Sequence, residues 1–115
     1  MLNKDLADTE WQNLSLTSNF QNDLFYRRKG GKIYVEGAIQ PASQIAANQQ
    51  TTIATLPEEY RPDRTAYNVC QGGGMNRFYL TANVDGSLVI QKYGTTQDIP
   101  IPAGVWLSVT IDFPA

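Results

Sequence analysis

Apolar and polar residues alternate with a period of two along most of this chain. In VWLSVTIDF, Val105, Leu107, Val109, Ile111 and Phe113 fall on one face, and Trp106, Ser108, Thr110 and Asp112 fall on the other. That is the spacing of a strand with one buried face. In RFYLTANV, Phe78, Leu80, Ala82 and Val84 oppose Arg77, Tyr79, Thr81 and Asn83. Asp85-Gly86 follows, then SLVIQKY, so the pattern predicts two strands joined by a tight hairpin turn.

A second hairpin is predicted from LFYRRK through Gly30-Gly31 to KIYVEGAI, where Ile33, Val35 and Ile39 alternate with Tyr34, Glu36 and Ala38. The two glycines supply the positive φ angles of the turn. PASQIAANQQ, residues 41 to 50, reads as a polar connection. TTIATL makes a short strand that Pro57 ends, because proline cannot donate to a ladder. EWQNLSL offers a further strand, with Leu14 and Leu16 on one side and Trp11 at its start, placed in the core or an interface. Residues 1–10, with Leu2 and Leu6 at helical spacing, read as a lead segment or the end of a stalk, and residues 11–115 as one domain. Seven or eight short strands separated by turns make the fold all-β, an antiparallel sandwich or barrel.

The bulk numbers narrow the function classes. The chain has 115 residues, 42% apolar and 17% charged, which suits one folded domain with its own core. No apolar run reaches the ~18 residues of a membrane span, and MLNKDLADTEW has no apolar stretch of the kind a secretory signal carries. Synthesis in a cytoplasm, without membrane insertion, is the expectation. Net charge is −2, and the one basic cluster, Arg27, Arg28, Lys29 and Lys32 around the glycine turn, reads as a solvated hairpin tip. Nucleic acid is therefore not an expected partner, since it calls for a basic stripe.

Histidine is absent, which removes the commonest general base and imidazole metal ligand. With the single Cys70 read as a small buried hydrophobe, neither a metal site nor a cofactor is expected. An enzyme would have to rely on carboxylates, as glycosidases do, and the candidates are Glu36, Asp85 and Asp112 on or beside strands, with Glu58 and Glu59 in a loop. No acid–base pair is visible among them. QGGGMN, residues 71 to 76, lacks the Lys-Ser/Thr ending of a phosphate loop and reads as a flexible link between strands. Binding fits the composition better. Six tyrosines and two tryptophans accompany many amide and hydroxyl residues, and aromatic faces with polar partners suit sugars. Trp106, Tyr79, Arg77 and Asp112, on the polar faces of their strands, are the candidate saccharide contacts.

The stretch IATLPEEYRP, residues 53 to 62, places Pro57, Tyr60, Arg61 and Pro62 in a stiff corner after a strand. Prolines at two points restrict the connection to few conformations. The corner follows the FYRRKGGKIYVEGAI hairpin and precedes the NVDGSLVI pair and the Trp106 strand. This order resembles the C-terminal β domains of baseplate and tail-fibre proteins from tailed phages and prophages of Gram-positive bacteria. In those domains an Ile-Ala-x-Leu-Pro-x-x-Tyr-Arg-Pro stretch follows a Tyr-Arg-Lys-x-Gly-x-x-Val-Tyr-Val-x-Gly hairpin. The resemblance covers residues 11 to 113.

It implies a jelly-roll-like sandwich head at the virion tail tip, assembled as a homotrimer. It also implies a non-enzymatic role in host adhesion through a bacterial cell-wall saccharide. Two alternatives stay open: a structural baseplate domain docking other tail proteins, and a carbohydrate-binding module. The corner is then architecture, with Tyr60 burying its ring, Arg61 tying carbonyls or a carboxylate, and the chain passing from one sheet to the other.

Overall fold

The computed structural model describes residues 7–115. Leu2 and Leu6, and with them most of the predicted lead or stalk end, lie outside the described residues. Eight strands follow one another: β1 (Gln12–Asn13), β2 (Phe20–Lys29), β3 (Lys32–Pro41), β4 (Thr51–Thr55), β5 (Ala66–Gln71), β6 (Arg77–Ala82), β7 (Ser87–Gly94) and β8 (Leu107–Pro114). They form one curled antiparallel sheet in the order β1-β2-β3-β8-β5-β6-β7-β4. The all-β sandwich class expected from the alternation is what the chain adopts.

The sheet divides into two halves, β1-β2-β3-β8 and β5-β6-β7-β4. Between them the ladder is one pair long, Gln71 with Ser108. On the opposite side Leu16 bridges Ala54, so the two edges of the curl also meet. The Thr17 N–H donates to the Ile53 carbonyl at 2.9 Å at this closure. The inner faces share one core, with Leu24, Ile33, Val35 and Ile39 from the first half meeting Ile53, Phe78, Leu80, Leu88 and Ile90 from the second. Leu107, Val109, Ile111 and Phe113 of β8 are buried and the residues between them exposed, as the alternation required.

Several expectations are corrected. EWQNLSL forms just the two-residue β1, because the chain then leaves β2 to bridge β4 at Leu16. The polar connection after β3 hides an apolar anchor: Ile45 is buried and bridges Ile101, tying together the two segments that cross between the halves. QGGGMN is a packed turn. A Cβ at Gly72 would strike the Tyr93 ring and one at Gly73 the Val105 side chain, while Asn76 Nδ2 donates to the Tyr93 hydroxyl at 3.2 Å. Close packing, with a positive φ at Gly74, is what demands three glycines here.

The corner does not carry the chain between halves. β4 and β5 are opposite edges of the same half, and residues 56 to 65 span from one edge to the other. Glu58–Tyr60 makes a single 3-10 turn, with the Tyr60 N–H donating to the Pro57 carbonyl at 2.9 Å. From this turn Tyr60 reaches across to the other half. Its ring meets that of Tyr26 edge-on, with centroids 4.8 Å apart, and its hydroxyl accepts from Gln12 Nε2 at 3.1 Å. Tyr26 donates to Gln12 Oε1 at 3.4 Å, and burial, then the neighbouring Tyr60, pushes the Tyr26 hydroxyl pKa up.

Arg28 completes this contact and is buried, contrary to its placement in a solvated tip. Its position in β2 faces it inward, where its guanidinium lies 4.6 Å from the centre of the Tyr60 ring and donates to the Glu59 carbonyl at 3.0 Å. Arg61 Nε donates to the Leu56 carbonyl at 2.9 Å, and the Leu56 N–H donates to the Gly86 carbonyl at 2.8 Å. The corner is thereby fastened to the β6–β7 turn as well. In that turn Asp85 accepts from the Ser87 hydroxyl and N–H, which hold its carboxyl below the usual carboxylate range, with a smaller contribution from Arg61.

Tyr60→Ala removes the ring that joins the halves, and a loss of about 3 kcal/mol is expected for a buried aromatic. Urea unfolding of the variant beside the parent checks it. Tyr60→Phe, which keeps the ring, should lose about 1 kcal/mol, the contribution of one hydrogen bond.

Candidate functional site

The inner faces are consumed by the core, so the outer faces are what the molecule presents to any ligand or partner. On the second half, alternation turns Tyr67, Val69 and Gln71 of β5 outward next to Arg77 and Tyr79 of β6. Cross-strand register aligns Gln71 with Arg77, Val69 with Tyr79, and Tyr67 with Thr81. Tyr79 continues to Gln91 of β7 across a bulge, where Lys92 takes a positive φ of 58°. Tyr67 is 75% exposed, Val69 59% and Tyr79 41%. That is a large apolar and aromatic area for one sheet face, with amides interspersed.

Arg77 is held by three contacts on this face. Its guanidinium lies 5.4 Å from the centre of the Tyr79 ring, Nη2 meets Asp98 Oδ1 at 3.2 Å, and the same nitrogen donates to the Thr95 carbonyl at 3.3 Å. Nη1 is buried with no partner among the described residues. An arginine positioned by a carboxylate and lying near a tyrosine ring fixes a positive charge beside an aromatic surface.

Of the four candidate contacts, Arg77 and Tyr79 are brought together. Trp106 is 52% exposed and immediately precedes β8, next to Val105, which packs on the glycine turn at Gly73. Through Val105 the segment that carries it touches the second half at the glycine turn. Asp112 lies six residues further on, roughly 20 Å along an extended strand. There it pairs with Lys32 at 3.7 Å, both side chains being half exposed. Asp112 lines a separate cleft with Lys32, Pro62, Asp63 and Arg64, where the far end of the corner meets the ends of β3 and β8.

The carboxylates considered for acid–base work are dispersed. Asp85 is in the β6–β7 turn, while Glu36 and Asp112 sit on the outer face of the first half. Among the described residues no group of three or more His, Cys, Asp or Glu side chains could hold a metal ion. No helix of the described residues is long and apolar enough to cross a membrane.

Sequence reasoning missed a second outer surface. Trp11 is neither in the core nor within β1. It is 39% exposed, with the Arg27 guanidinium 4.5 Å from the centre of its ring. Beside it Phe25, Glu36 and Gly37 line an open groove of about 400 Å³. The outward placement of Phe25 and Glu36 was legible in the alternation of the hairpin. Their meeting with Trp11 depends on β1 pairing with β2.

With this geometry in view, comparison with solved structures gives a match over nearly the whole chain. The fold is that of the head domain of the lactococcal phage bIL170, whose crystal structure bears on a common fold for the receptor-binding domains of lactococcal phages. The two superpose with a TM-score of 0.71, covering 91% of this chain and 96% of that one at 18% sequence identity. The likeness is one of fold. No family model and no curated protein matches the sequence.

The setting of Cys70 disfavours its thiolate. It is buried on the inner side of β5, its thiol donates to the Thr110 carbonyl at 3.4 Å, and burial pushes its pKa up more than that hydrogen bond to the backbone brings it down. The expected outcome is slow thiol modification by a disulfide reagent at pH 8 in the native protein and complete reaction within minutes in denaturant. Stopped or continuous absorbance assays of thiol release read both.

Proposed function

We propose that this domain is the receptor-binding head of a phage tail appendage, a non-enzymatic adhesin for a saccharide of the bacterial cell wall. The observation that carries the reading is the shared fold with the bIL170 head domain over 91% of the chain. The chemistry of the outer β5–β6 face supports it. A tyrosine ring for the apolar side of a sugar stands beside an arginine and amides for its hydroxyls, and Trp106 adds a second exposed ring at the loop end. A head of this kind works at the virion tail tip and is attached to other tail proteins.

The reading includes a homotrimer. One shallow site gives weak binding, and repetition around an axis raises avidity without new contacts. Light scattering on a sizing column is expected to give three times the 12.8 kDa chain mass. A monomer at all concentrations would remove the trimer from the reading.

Binding is tested by calorimetric titration with wall polysaccharide purified from a panel of Gram-positive hosts. Tyr79→Ala is expected to weaken binding by roughly tenfold, the loss of a stacking surface, with its unfolding midpoint little changed, while Arg77→Ala weakens binding similarly and also lowers the midpoint, because Asp98 loses its partner. If no polysaccharide binds to a folded, correctly assembled protein, the adhesin reading fails. A connector role, docking another tail protein, would then stand in its place.

A further inference from the structure

We propose that the groove bounded by Trp11, Phe25 and Glu36 is a second saccharide subsite, one that takes a neutral pyranose ring. It lies on the β1–β2–β3 face, in the half of the molecule opposite Arg77 and Tyr79. It rests on the adhesin reading for the class of its ligand, and on its own geometry for its place.

The groove joins two aromatic side chains and a free carboxylate. Register sets Phe25 directly across from Glu36 on one side and from Asn13 on the other, so an apolar ring is flanked by an acceptor and an amide along one cross-strand row. Trp11 stands beside that row. A pyranose has the complementary form, with C–H groups on one face of the ring and hydroxyls around its edge. The aromatic faces take the first, and the Glu36 carboxylate takes the second. The volume of about 400 Å³ fits one or two sugar units.

Trp11 is held in place before any ligand arrives. The Arg27 guanidinium sits over the indole, and Arg27 Nε is buried with no hydrogen-bond partner among the described residues. Stacking on the indole, with no bond from Nε, is therefore what this contact offers to position the pair. A preset ring loses little rotamer freedom on binding, which favours a shallow site. Glu36 is likewise available, since the two ion pairs among the described residues, Lys32–Asp112 and Arg77–Asp98, leave it out. Among the described residues Glu36 is the one charged side chain lining the groove, and the nearby Arg27 is engaged with the indole, so Glu36 disfavours a phosphorylated or uronic ring and the ligand is a neutral hexose or N-acetylhexosamine.

The test is two-dimensional NMR of the ¹⁵N-labelled full chain, in which Trp11 and Trp106 each give an indole N–H signal. The probes are the methyl glycosides of glucose, galactose, N-acetylglucosamine and N-acetylgalactosamine. The expected result is a saturable shift of the Trp11 indole and the Gly37 amide with at least one glycoside. Glu36→Gln should weaken that response by roughly tenfold. Glu36 is exposed, so its variant is not expected to disturb folding. A Trp11 signal that no glycoside moves overturns the subsite, whether or not the β5–β6 face responds. A Trp11 signal that instead shifts on dilution of the protein alone overturns it too, by showing the groove to be a contact between copies. If wall polysaccharide also fails to bind anywhere, the adhesin reading falls with it.

Discussion

The two halves of the sheet are joined by side chains far more than by backbone. Along the seam the ladder is a single pair, Gln71 with Ser108, and the other side closes through the Leu16–Ala54 bridge. What keeps the halves together is the burial of their inner faces against each other, at roughly 1.5–3 kcal/mol for each large apolar side chain. At one end of the curl this core gives way to a polar contact. There Tyr60 from the corner meets Tyr26 and Arg28 of β2, with Gln12 bonded to both hydroxyls. Burying an arginine is costly without partners. Arg28 has the Tyr60 ring and the carbonyls of Glu59 and Ala7.

This division of labour leaves the outer faces free. A strand whose inner residues supply the stability can vary its outer residues with little effect on folding. Tyr67, Val69 and Tyr79 on one half, and Trp11 with Phe25 on the other, are large side chains exposed where the fold does not need them. On the adhesin reading proposed above, two such surfaces would let one domain grip a repeating polymer at more than one unit. Linked sites of this kind gain from effective concentration when their spacing suits the ligand.

The prolines, glycines and short polar turns serve the same end. Pro57 and Pro62 flank the turn that presents Tyr60, and Gly72 and Gly73 let the β5–β6 connection lie flat on Tyr93 and Val105. At Gly37, inside β3, a Cβ would run into the Asp23 carbonyl of β2, so the strands approach there more closely than side chains allow. The β3 strand accordingly passes through this glycine to Pro41, beneath the groove that Trp11 overlooks.

Local pattern was enough to find the strands, because period-two alternation and turn residues are properties of neighbours in the chain. The hairpins around Gly30-Gly31 and Asp85-Gly86, the buried stripe of β8 and the end of β4 at Pro57 could all be read without the structure. So could the outward placement of Arg77 and Tyr79, which share a face of one strand. Contacts between distant segments could not be read that way. Arg28 looks like part of a charged tip until Tyr60, thirty-two positions on, is folded against it. Trp11 reads as core or interface, and the pairing of β1 with β2 takes it out of the core, leaving the indole beside Arg27. Trp106 and Asp112 share a strand face on paper, yet the length of that strand sets them far apart. Alternation decides which way a side chain points, and long-range pairing decides what it meets there.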